Sequence, residues 1–206
     1  KTANSIGEGP WSETVSFSVV EVAYAVHGLT FSPYVEGQDP NRGAHVEQAQ
    51  LQSRMEIIQP YTRSIRTYGS TRGLEHSGRI AHELGLKAAV GAWIGNDVEN
   101  NDVEIENLIN SGLAGHADML IVGSEVLLRD DLTENQLIAY INQVRQAVPG
   151  IPVSYSDVYH VLEDHPAVID AVDIVLVNYF PYWEGKHIDR AISNIHCWHE
   201  RMLELA

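Results

Sequence analysis

Near its middle the chain carries the stretch Met119-Leu120-Ile121-Val122-Gly123-Ser124-Glu125, an apolar run that leads directly into a hydroxyl and a carboxylate. A short run that is apolar throughout is typical of a strand covered on both faces, as in a parallel sheet. In parallel barrels the residues that follow the strands meet at one face, where active sites are built. The stretch therefore predicts a buried parallel strand that delivers Glu125 to a functional edge.

The rest of the chain repeats this pattern on both sides. Apolar runs alternate with segments of helical periodicity, as expected of βαβ units around a parallel sheet. Some helical segments have recognisable ends, such as Pro60 after the first and the capping-box spacing of Thr133 and Gln136 before the fourth. Six strands are predicted, over residues 26–31, 64–68, 87–93, 119–123, 152–155 and 174–179. Helices are predicted over residues 44–58, 74–84, 102–113 and 133–148, and from 187 or 188 to the end.

Two architectures share this alternation of strands and helices. One is an open doubly wound sheet, and the other is part of an eight-unit barrel. Neither a Gly-x-Gly-x-x-Gly motif nor a P-loop follows any predicted strand, so nucleotide binding at a doubly wound switch point has no support. The predicted fold class is therefore α/β, a (β/α)8 TIM barrel of which residues 23–206 carry about six βα units.

Residues 1–22 have a different character. A turn rich in Gly and Pro precedes an alternating stretch over residues 14–19, which predicts a strand. The runs Lys1-Thr2-Ala3-Asn4 and Gly7-Glu8-Gly9-Pro10-Trp11-Ser12 resemble the last strands of a fibronectin type III domain. This resemblance implies the end of such a module in a multi-modular, extracytoplasmic protein. The alternative is a linker or an unstructured leader.

Composition and charge limit the possible partners. The formal net charge of −15 disfavours nucleic acid and anionic lipid surfaces, and neutral substrates fit better, although the same acidity also serves solubility. No apolar run approaches the roughly 18 residues of a membrane helix, so no membrane insertion is expected. The single cysteine, Cys197, excludes a disulfide framework and a cysteine-based zinc site, and His196 and His199 alone make a weak metal site. We expect neither a metal nor a cofactor.

Aromatic and polar side chains follow the predicted strands. Together they suit a pyranose ring, whose apolar faces stack on Trp and Tyr and whose hydroxyls need hydrogen-bond partners. The alternative is that these rings only cap the core of the barrel. The residues expected to contact a sugar are Tyr34, Arg66, Tyr68, Trp93, Ser124, Asp157, Asn178, Tyr182, Trp183 and Glu184.

Glu125 is the strongest candidate for catalysis. A carboxylate directly after a buried strand is held at the barrel mouth, where it can act as a general acid and base. The alternative is that Glu125 serves only as a structural ion-pair partner of Arg66 or Arg129.

Three motifs between residues 26 and 185 occur in the order found in glycoside hydrolase family 17, the β-1,3-glucanases and related glucanosyltransferases. The segment Val122-Gly123-Ser124-Glu125-Val126-Leu127-Leu128-Arg129 resembles the acid/base segment of that family. Ile65-Arg66-Thr67-Tyr68-Gly69 resembles the motif on the second strand of that family. Asn178-Tyr179-Phe180-Pro181-Tyr182-Trp183 resembles the motif on its sixth strand. The resemblance implies a retaining mechanism on β-1,3-glucan, with Glu125 as acid/base and with Tyr68, Tyr182 and Trp183 at sugar subsites.

The sequence departs from that family in two places. Many members have Asn before the acid/base, whereas Ser124 is shorter and is expected to contact the sugar 2-hydroxyl weakly or through water. The nucleophile of the family is a Glu in a Glu-Thr-Gly-Trp-like segment after the seventh strand, and these 206 residues contain no such segment. The nucleophile is therefore expected beyond residue 206. Glu184 is the nearest substitute by strand order, but it follows Pro181 in a loop and is expected to line a subsite.

Two functions from different classes follow. The leading hypothesis is a secreted glycoside hydrolase or glucanosyltransferase, extracellular or in the periplasm or cell envelope, that acts on neutral β-glucan. A second chain or a further C-terminal segment is expected to complete its barrel. The alternative hypothesis is a catalytically silent glucan-binding module on the same scaffold, which the missing seventh strand favours.

Overall fold

The computed structural model describes residues 25–206 and, for the backbone alone, residues 3–4 and 7–8. The two short segments, Ala3–Asn4 and Gly7–Glu8, pair as an antiparallel ladder. The fibronectin-like interpretation of residues 1–22, including the strand predicted over residues 14–19, otherwise lies outside the described residues.

Six parallel strands form one sheet, and their spatial order is their order along the chain. They are β1 Leu29–Thr30, β2 Ser64–Arg66, β3 Lys87–Ala92, β4 Met119–Ser124, β5 Val153–Val158 and β6 Ile174–Asn178. A doubly wound sheet reverses its strand order at a switch point, whereas a barrel keeps the order of the chain. The observed order is that of a (β/α)8 barrel, and it confirms the predicted fold class.

Within residues 25–206, seven α-helices connect or follow these strands. They are α1 Gln48–Ile58, α2 Ser77–Glu83, α3 Val98–Leu113, α4 Glu134–Ala147, α5 Tyr159–Asp164, α6 Pro166–Ala171 and α7 Ile188–Leu205. The capping box predicted before α4 is present: the Thr133 hydroxyl accepts from the Gln136 N–H at 3.4 Å, and the Gln136 side chain accepts from the Thr133 N–H at 2.9 Å. Such a cap stabilises a helix by about 1 kcal/mol.

The core lies between the sheet and the helices. Ile105 and Leu108 of α3, and Leu137 and Ile141 of α4, are fully buried. The helix α3 packs against β3 and β4, and α4 packs against β4 and β5. Burial of one such side chain contributes roughly 1.5–3 kcal/mol. The central strands are buried on both faces, whereas β6, at one edge of the sheet, is partly exposed along its length. No helix of the described part of the chain has the length and apolar character needed to cross a membrane.

The structure departs from the predictions in the length of β5, which changes where Asp157 lies, and in two short helices. β5 continues three residues past its predicted end at residue 155, so that Ser156 and Asp157 belong to the strand and are fully buried. The short helices α5 and α6 were not predicted, because six residues are too few to establish a helical period.

Candidate active site

The chain leaves β4 through an unusual backbone conformation. The register with β5 shifts between Ile121 and Ser124, and Gly123 has a φ of 85°. A side chain on Gly123 would also approach Val126 Cγ2 to 2.7 Å, so both the backbone and the packing require glycine there. Two residues later Glu125 itself has a φ of 55°, in the left-handed region that non-glycine residues rarely adopt.

Hydrogen bonds hold Glu125 in this conformation. Its N–H donates to the Ser156 carbonyl of β5 at 2.7 Å, and its carbonyl accepts from the Arg129 N–H at 3.0 Å. Left-handed non-glycine residues cost roughly 1–3 kcal/mol and persist where their surroundings determine them. Arg72 and Asp130 share this conformation, with φ values of 56° and 55°, so the backbone is consistent with a functional role of Glu125 but does not by itself single it out.

The carboxylate of Glu125 is oriented by the sixth strand. Asn178, the last residue of β6, donates from Nδ2 to Glu125 Oε1 at 2.8 Å. Asn178 Oδ1 in turn accepts from the Ser156 hydroxyl of β5 at 3.4 Å. The Glu125 side chain is only partly buried. Its carboxylate, bound on one oxygen by Asn178, therefore remains accessible at the carboxyl end of β4.

Neither arginine considered as an ion-pair partner binds the Glu125 carboxylate. Arg66 donates from Nη2 to the Ser124 hydroxyl at 3.0 Å, and its guanidinium lies 4.9 Å from the centre of the Tyr68 ring. Burial lowers the pKa of the Arg66 guanidinium, while the nearby charge of Glu125 acts in the opposite direction. Ser124 is therefore bound to Arg66 through its hydroxyl.

Arg129 joins the end of β4 to the end of β3. Its guanidinium donates to the carbonyls of Ser124 and, at 3.1 Å, Ile94, and it pairs with Asp131 at 2.6 Å. It also lies 4.6 Å from the centre of the Trp93 ring. The turn that carries Glu125 and the aromatic residue after β3 are thus held by one side chain.

Tyr68 and Trp93 form an aromatic pair beside this turn. Their ring centres are 6.5 Å apart with an angle of 66° between the planes. The exposed fractions are 37% for Tyr68 and 44% for Trp93, which leaves ring surface open to a ligand. Tyr34, after β1, is partly buried, and burial raises the pKa of its phenol, with the charge of Glu104 adding to the shift.

Tyr182 and Trp183 form a second aromatic pair in the loop after β6. They are 82% and 80% exposed, with ring centres 5.3 Å apart. The carboxylate of Glu184 accepts from the Tyr159 hydroxyl of α5 at 2.8 Å. This contact anchors the loop, and Glu184 is engaged with Tyr159 rather than with Glu125.

Asp157 has a different role from the one expected from the sequence. It is fully buried, and its carboxylate accepts from the Tyr155 hydroxyl and from the N–H groups of Val158 at 2.8 Å and Leu128 at 3.4 Å. The Tyr155 hydroxyl in turn accepts from the Leu127 N–H at 3.1 Å. Both carboxylate oxygens of Asp157 accept hydrogen bonds and are shielded from solvent. Asp157 therefore stabilises the turn after Glu125 through the Leu128 N–H and the Tyr155 hydroxyl, and it does not reach a ligand in this arrangement.

Sequence reasoning missed several residues that shape the site, chiefly Glu104 of α3, Tyr155 and Tyr159. Glu104 was not predicted because apolar residues determine the helical periodicity of the segment in which it lies. The available signal was a polar spacing of three, Asn101, Glu104 and Asn107, on the same helix.

The arrangement provides one accessible carboxylate, an amide that orients it, and two aromatic pairs. Asp157, whose carboxyl pKa is raised by burial and also by the charge of Glu125, is fully buried and so is not a second accessible carboxylate. No group of three or more His, Cys, Asp or Glu in that range is arranged to hold a metal ion. The residues present suit proton transfer beside a stacked ring.

The chain is similar in sequence to known proteins. Residues 28–204 match the family described as the BtgE/BtgC glycoside hydrolase domain. A glucan 1,3-beta-glucosidase of Saccharomyces cerevisiae is 29% identical over 199 residues, covering 86% of this chain and 61% of that protein. A glucan 1,3-beta-glucosidase of Candida albicans is 27% identical over 188 residues, covering 83% of this chain and 60% of that protein. The chain spans about three fifths of the length of these relatives.

A solved structure agrees in fold. The crystal structure of a glycoside hydrolase family 17 beta-1,3-glucanosyltransferase from Rhizomucor miehei matches with a TM-score of 0.73 and 29% identity, covering 87% of this chain and 66% of that chain. An active-site mutant of the Rhizomucor miehei enzyme in complex with laminaritriose matches equally well, with a TM-score of 0.73. Because the family match extends over most of its length, this chain belongs to the family of BtgE/BtgC glycoside hydrolase domains, and its resemblance to glycoside hydrolase family 17 is confirmed.

Proposed function

We propose that this chain is the larger part of a glycoside hydrolase or glucanosyltransferase that acts on β-1,3-glucan with retention of configuration, with Glu125 as general acid and base. The observation that carries the proposal is the carboxylate of Glu125, held in a left-handed backbone conformation and bound on one oxygen by Asn178. The names of the relatives support the substrate: two are glucan 1,3-beta-glucosidases, and one solved structure contains laminaritriose.

The proposed chemistry has two proton transfers. Protonated Glu125 gives its proton to the glycosidic oxygen as the bond from that oxygen to the anomeric carbon breaks and a second carboxylate bonds to the carbon. The ionised Glu125 then removes a proton from the attacking hydroxyl, and the second carboxylate leaves. Water as the acceptor gives hydrolysis, whereas a sugar hydroxyl gives transfer. The amide of Asn178 binds Oε1, so that Oε2 is the oxygen that exchanges the proton.

The proposed sugar-contacting residues divide into two groups. Tyr68 and Trp93 offer ring surface near the Glu125 turn, and Tyr182 and Trp183 offer it in the loop after β6. Stacking on such rings needs no substrate charge, and the net charge of −15 disfavours polyanions, so a neutral glucan is the preferred ligand. The remaining proposed contacts are Tyr34, Arg66, Ser124, Asn178 and Glu184.

The second carboxylate is proposed to come from outside these 206 residues. A retaining pair needs its carboxyl groups about 5–5.5 Å apart across the sugar. Asp157, whose carboxyl pKa is raised by burial and also by the charge of Glu125, is fully buried, and Glu184 is bound by the Tyr159 hydroxyl. We propose that two further βα units, from the same chain or a second one, complete the barrel at β6 and supply the nucleophile. We also propose that the whole protein works outside the cytoplasm, where glucan polymers would meet it.

A glucan-binding module without catalysis is the second candidate. The observation that favours it is that the two carboxylates considered as partners of Glu125 are otherwise engaged: Asp157 is fully buried and Glu184 is bound by Tyr159. Both candidates predict binding of laminaritriose to the 206-residue chain, and they differ only in turnover.

One experiment separates the two candidates. Residues 1–206 and a protein extended by two βα units are incubated with laminarin oligosaccharides, and the products are resolved by chromatography. We expect turnover only by the extended protein and a loss of about 10²- to 10⁴-fold in its Glu125→Gln variant, the typical contribution of general acid and base catalysis. Glu106→Gln, at an exposed position of α3, is the matched control and should keep full activity.

The outcomes have distinct meanings. If the extended protein binds laminaritriose without turnover, the binding-module candidate replaces the enzyme. If the 206-residue chain turns glucan over as fast as the extended protein, the proposed external nucleophile is excluded.

A further inference from the structure

A stripe of buried polar side chains runs along one face of α3. Asn101, Glu104 and Asn107 are spaced by three residues, so that they lie on the same side of the helix. Asn101 is fully buried, Glu104 is 3% exposed and Asn107 is partly buried. We call these three residues the α3 polar stripe. A carboxylate is rarely buried without partners, because removing its charge from water is costly, so the contacts of Glu104 require explanation.

Glu104 binds the segments that follow two neighbouring strands. Its Oε2 accepts from the Ser70 N–H at 2.6 Å, after β2, and from the Trp93 N–H at 2.9 Å, after β3. Its Oε1 accepts from the Thr71 hydroxyl at 2.5 Å. One carboxylate therefore joins the backbone ends of β2 and β3 through three hydrogen bonds.

The two asparagines of the stripe secure the same segments. Asn101 accepts from the Gly95 N–H at 2.8 Å and donates to the Gly95 carbonyl at 2.7 Å, so that it fixes the loop just past Trp93. Asn107 donates to the Ser70 carbonyl at 2.8 Å. Each loop is thus held at two successive points by one helix.

These bonds determine where Trp93 lies. Its N–H is fixed by Glu104, and its ring lies against Arg129 and beside Tyr68. A buried N–H left without its acceptor costs about 1–3 kcal/mol, so removal of the carboxylate would drive the Trp93 and Ser70 segments to rearrange. The ring would then leave its position beside Tyr68.

We propose that Glu104 is a positioning residue, which fixes Trp93 and the segment 69–71 so that Tyr68 and Trp93 present one preformed surface to a bound sugar. The sugar-binding part of this inference rests on the proposed function. The positioning part concerns the free protein and stands independently of any ligand.

The first test needs no ligand. Glu104→Gln keeps the shape of the side chain, its carbonyl can accept from both N–H groups, and its amide can donate to Thr71, so the variant should fold. In the wild-type protein the amide signals of Ser70 and Trp93 in ¹H–¹⁵N NMR spectra should shift together in an acid titration that follows Glu104. Both shifts should disappear in Glu104→Gln and persist in the Glu106→Gln control. If the Trp93 signal titrates identically with and without Glu104, the positioning role is overturned.

The second test measures coupling to the ligand. Laminaritriose affinity is measured by calorimetry for the wild type, Glu104→Leu, Trp93→Ala and the double variant. We expect Glu104→Leu to weaken binding by roughly 10-fold, equivalent to about 1.4 kcal/mol, with little further loss in the Trp93→Ala background. Glu104→Gln should restore most of the affinity. An equal loss in both backgrounds would refute action through Trp93.

A folding failure or an absence of binding is also informative. If Glu104→Leu does not fold, Thr71→Val and Asn107→Leu replace it in the affinity comparison with Trp93→Ala. Each of these two variants removes one contact of the α3 polar stripe. If the wild-type chain does not bind laminaritriose, the proposed function of the chain fails, while the amide titration still decides the role of Glu104.

Discussion

The side-chain amide of Asn178 donates a 2.8 Å hydrogen bond to the carboxylate of Glu125, reaching from the end of β6 past β5 to the turn after β4. A hydrogen bond to a charged group is worth roughly 1.5–3 kcal/mol. We therefore expect Asn178→Ala, in the extended protein, to lower turnover of laminarin oligosaccharides about 10- to 100-fold. Asn110→Ala, on the exposed face of α3, is the control. Equal turnover by Asn178→Ala and the wild type would show that the amide does not orient the acid/base.

The backbone conformation of Glu125 predicts that glycine at this position stabilises the protein more than alanine does, the reverse of the order expected within a helix. At a φ of 55° glycine is free of the clash that a Cβ introduces, so Glu125→Gly should be more stable than Glu125→Ala by about 1 kcal/mol. At Glu106, within α3, alanine should be more stable than glycine by about 1 kcal/mol. Thermal unfolding of the four variants measures both differences. The same order at both positions would contradict the left-handed conformation of Glu125.

The buried Asp157 predicts a pH dependence of stability. Burial raises the pKa of its carboxyl above the ordinary value, even though Tyr155 and two N–H groups oppose the shift. The folded chain therefore binds this proton more tightly than the unfolded chain. Its stabilising contribution is complete below the unfolded pKa and is lost as the pH rises through the folded pKa.

Asp157→Asn removes this titration. As the pH rises above the ordinary range of an aspartate, the stability of the variant should therefore improve relative to the wild type. Urea unfolding at several pH values measures the difference, and Asp170→Asn serves as a surface control. A stability difference that does not change with pH would exclude a raised pKa.

The loop that carries Tyr182 and Trp183 should depend on a hydroxyl of α5. Burial, followed by the hydrogen bond to Glu184, raises the pKa of Tyr159 to about 12, so its hydroxyl remains a donor at ordinary pH. Tyr159→Phe keeps the ring that stacks on Trp198 but frees Glu184. We expect laminaritriose affinity to fall about threefold to tenfold, the effect of losing a hydrogen bond of roughly 1 kcal/mol. Tyr140→Phe is the control, and an unchanged affinity for Tyr159→Phe would exclude anchoring by this contact.

The sequence predicted the elements well because their signals are local. The apolar run before Ser124 and the Thr133–Gln136 spacing each depend on adjacent residues, and the strand and the cap were found where expected. The end of β5 was misplaced because Ser154, Ser156 and Asp157 are polar, whereas the structure buries them through hydrogen bonds and packing between strands.

The contacts that build the site could not be predicted in the same way. The bond between Asn178 and Glu125 joins residues 53 positions apart, and Glu104 reaches Ser70 across 34 positions. Such pairs depend on the register between strands and on the rotation of a helix about its axis. Side-chain types alone do not contain that information, although the family resemblance identified the segments involved.

The agreement between strand order and chain order has a consequence for how the protein is made. Each strand pairs with the one synthesised just before it, so sheet growth can proceed in the direction of translation, and contacts of low sequence separation favour rapid folding. Glu125 leaves the ribosome with the fourth strand, but its partner Asn178 arrives only with the sixth. A nascent chain that stops after β5 can possess the strained turn, yet its carboxylate still lacks the amide that orients it.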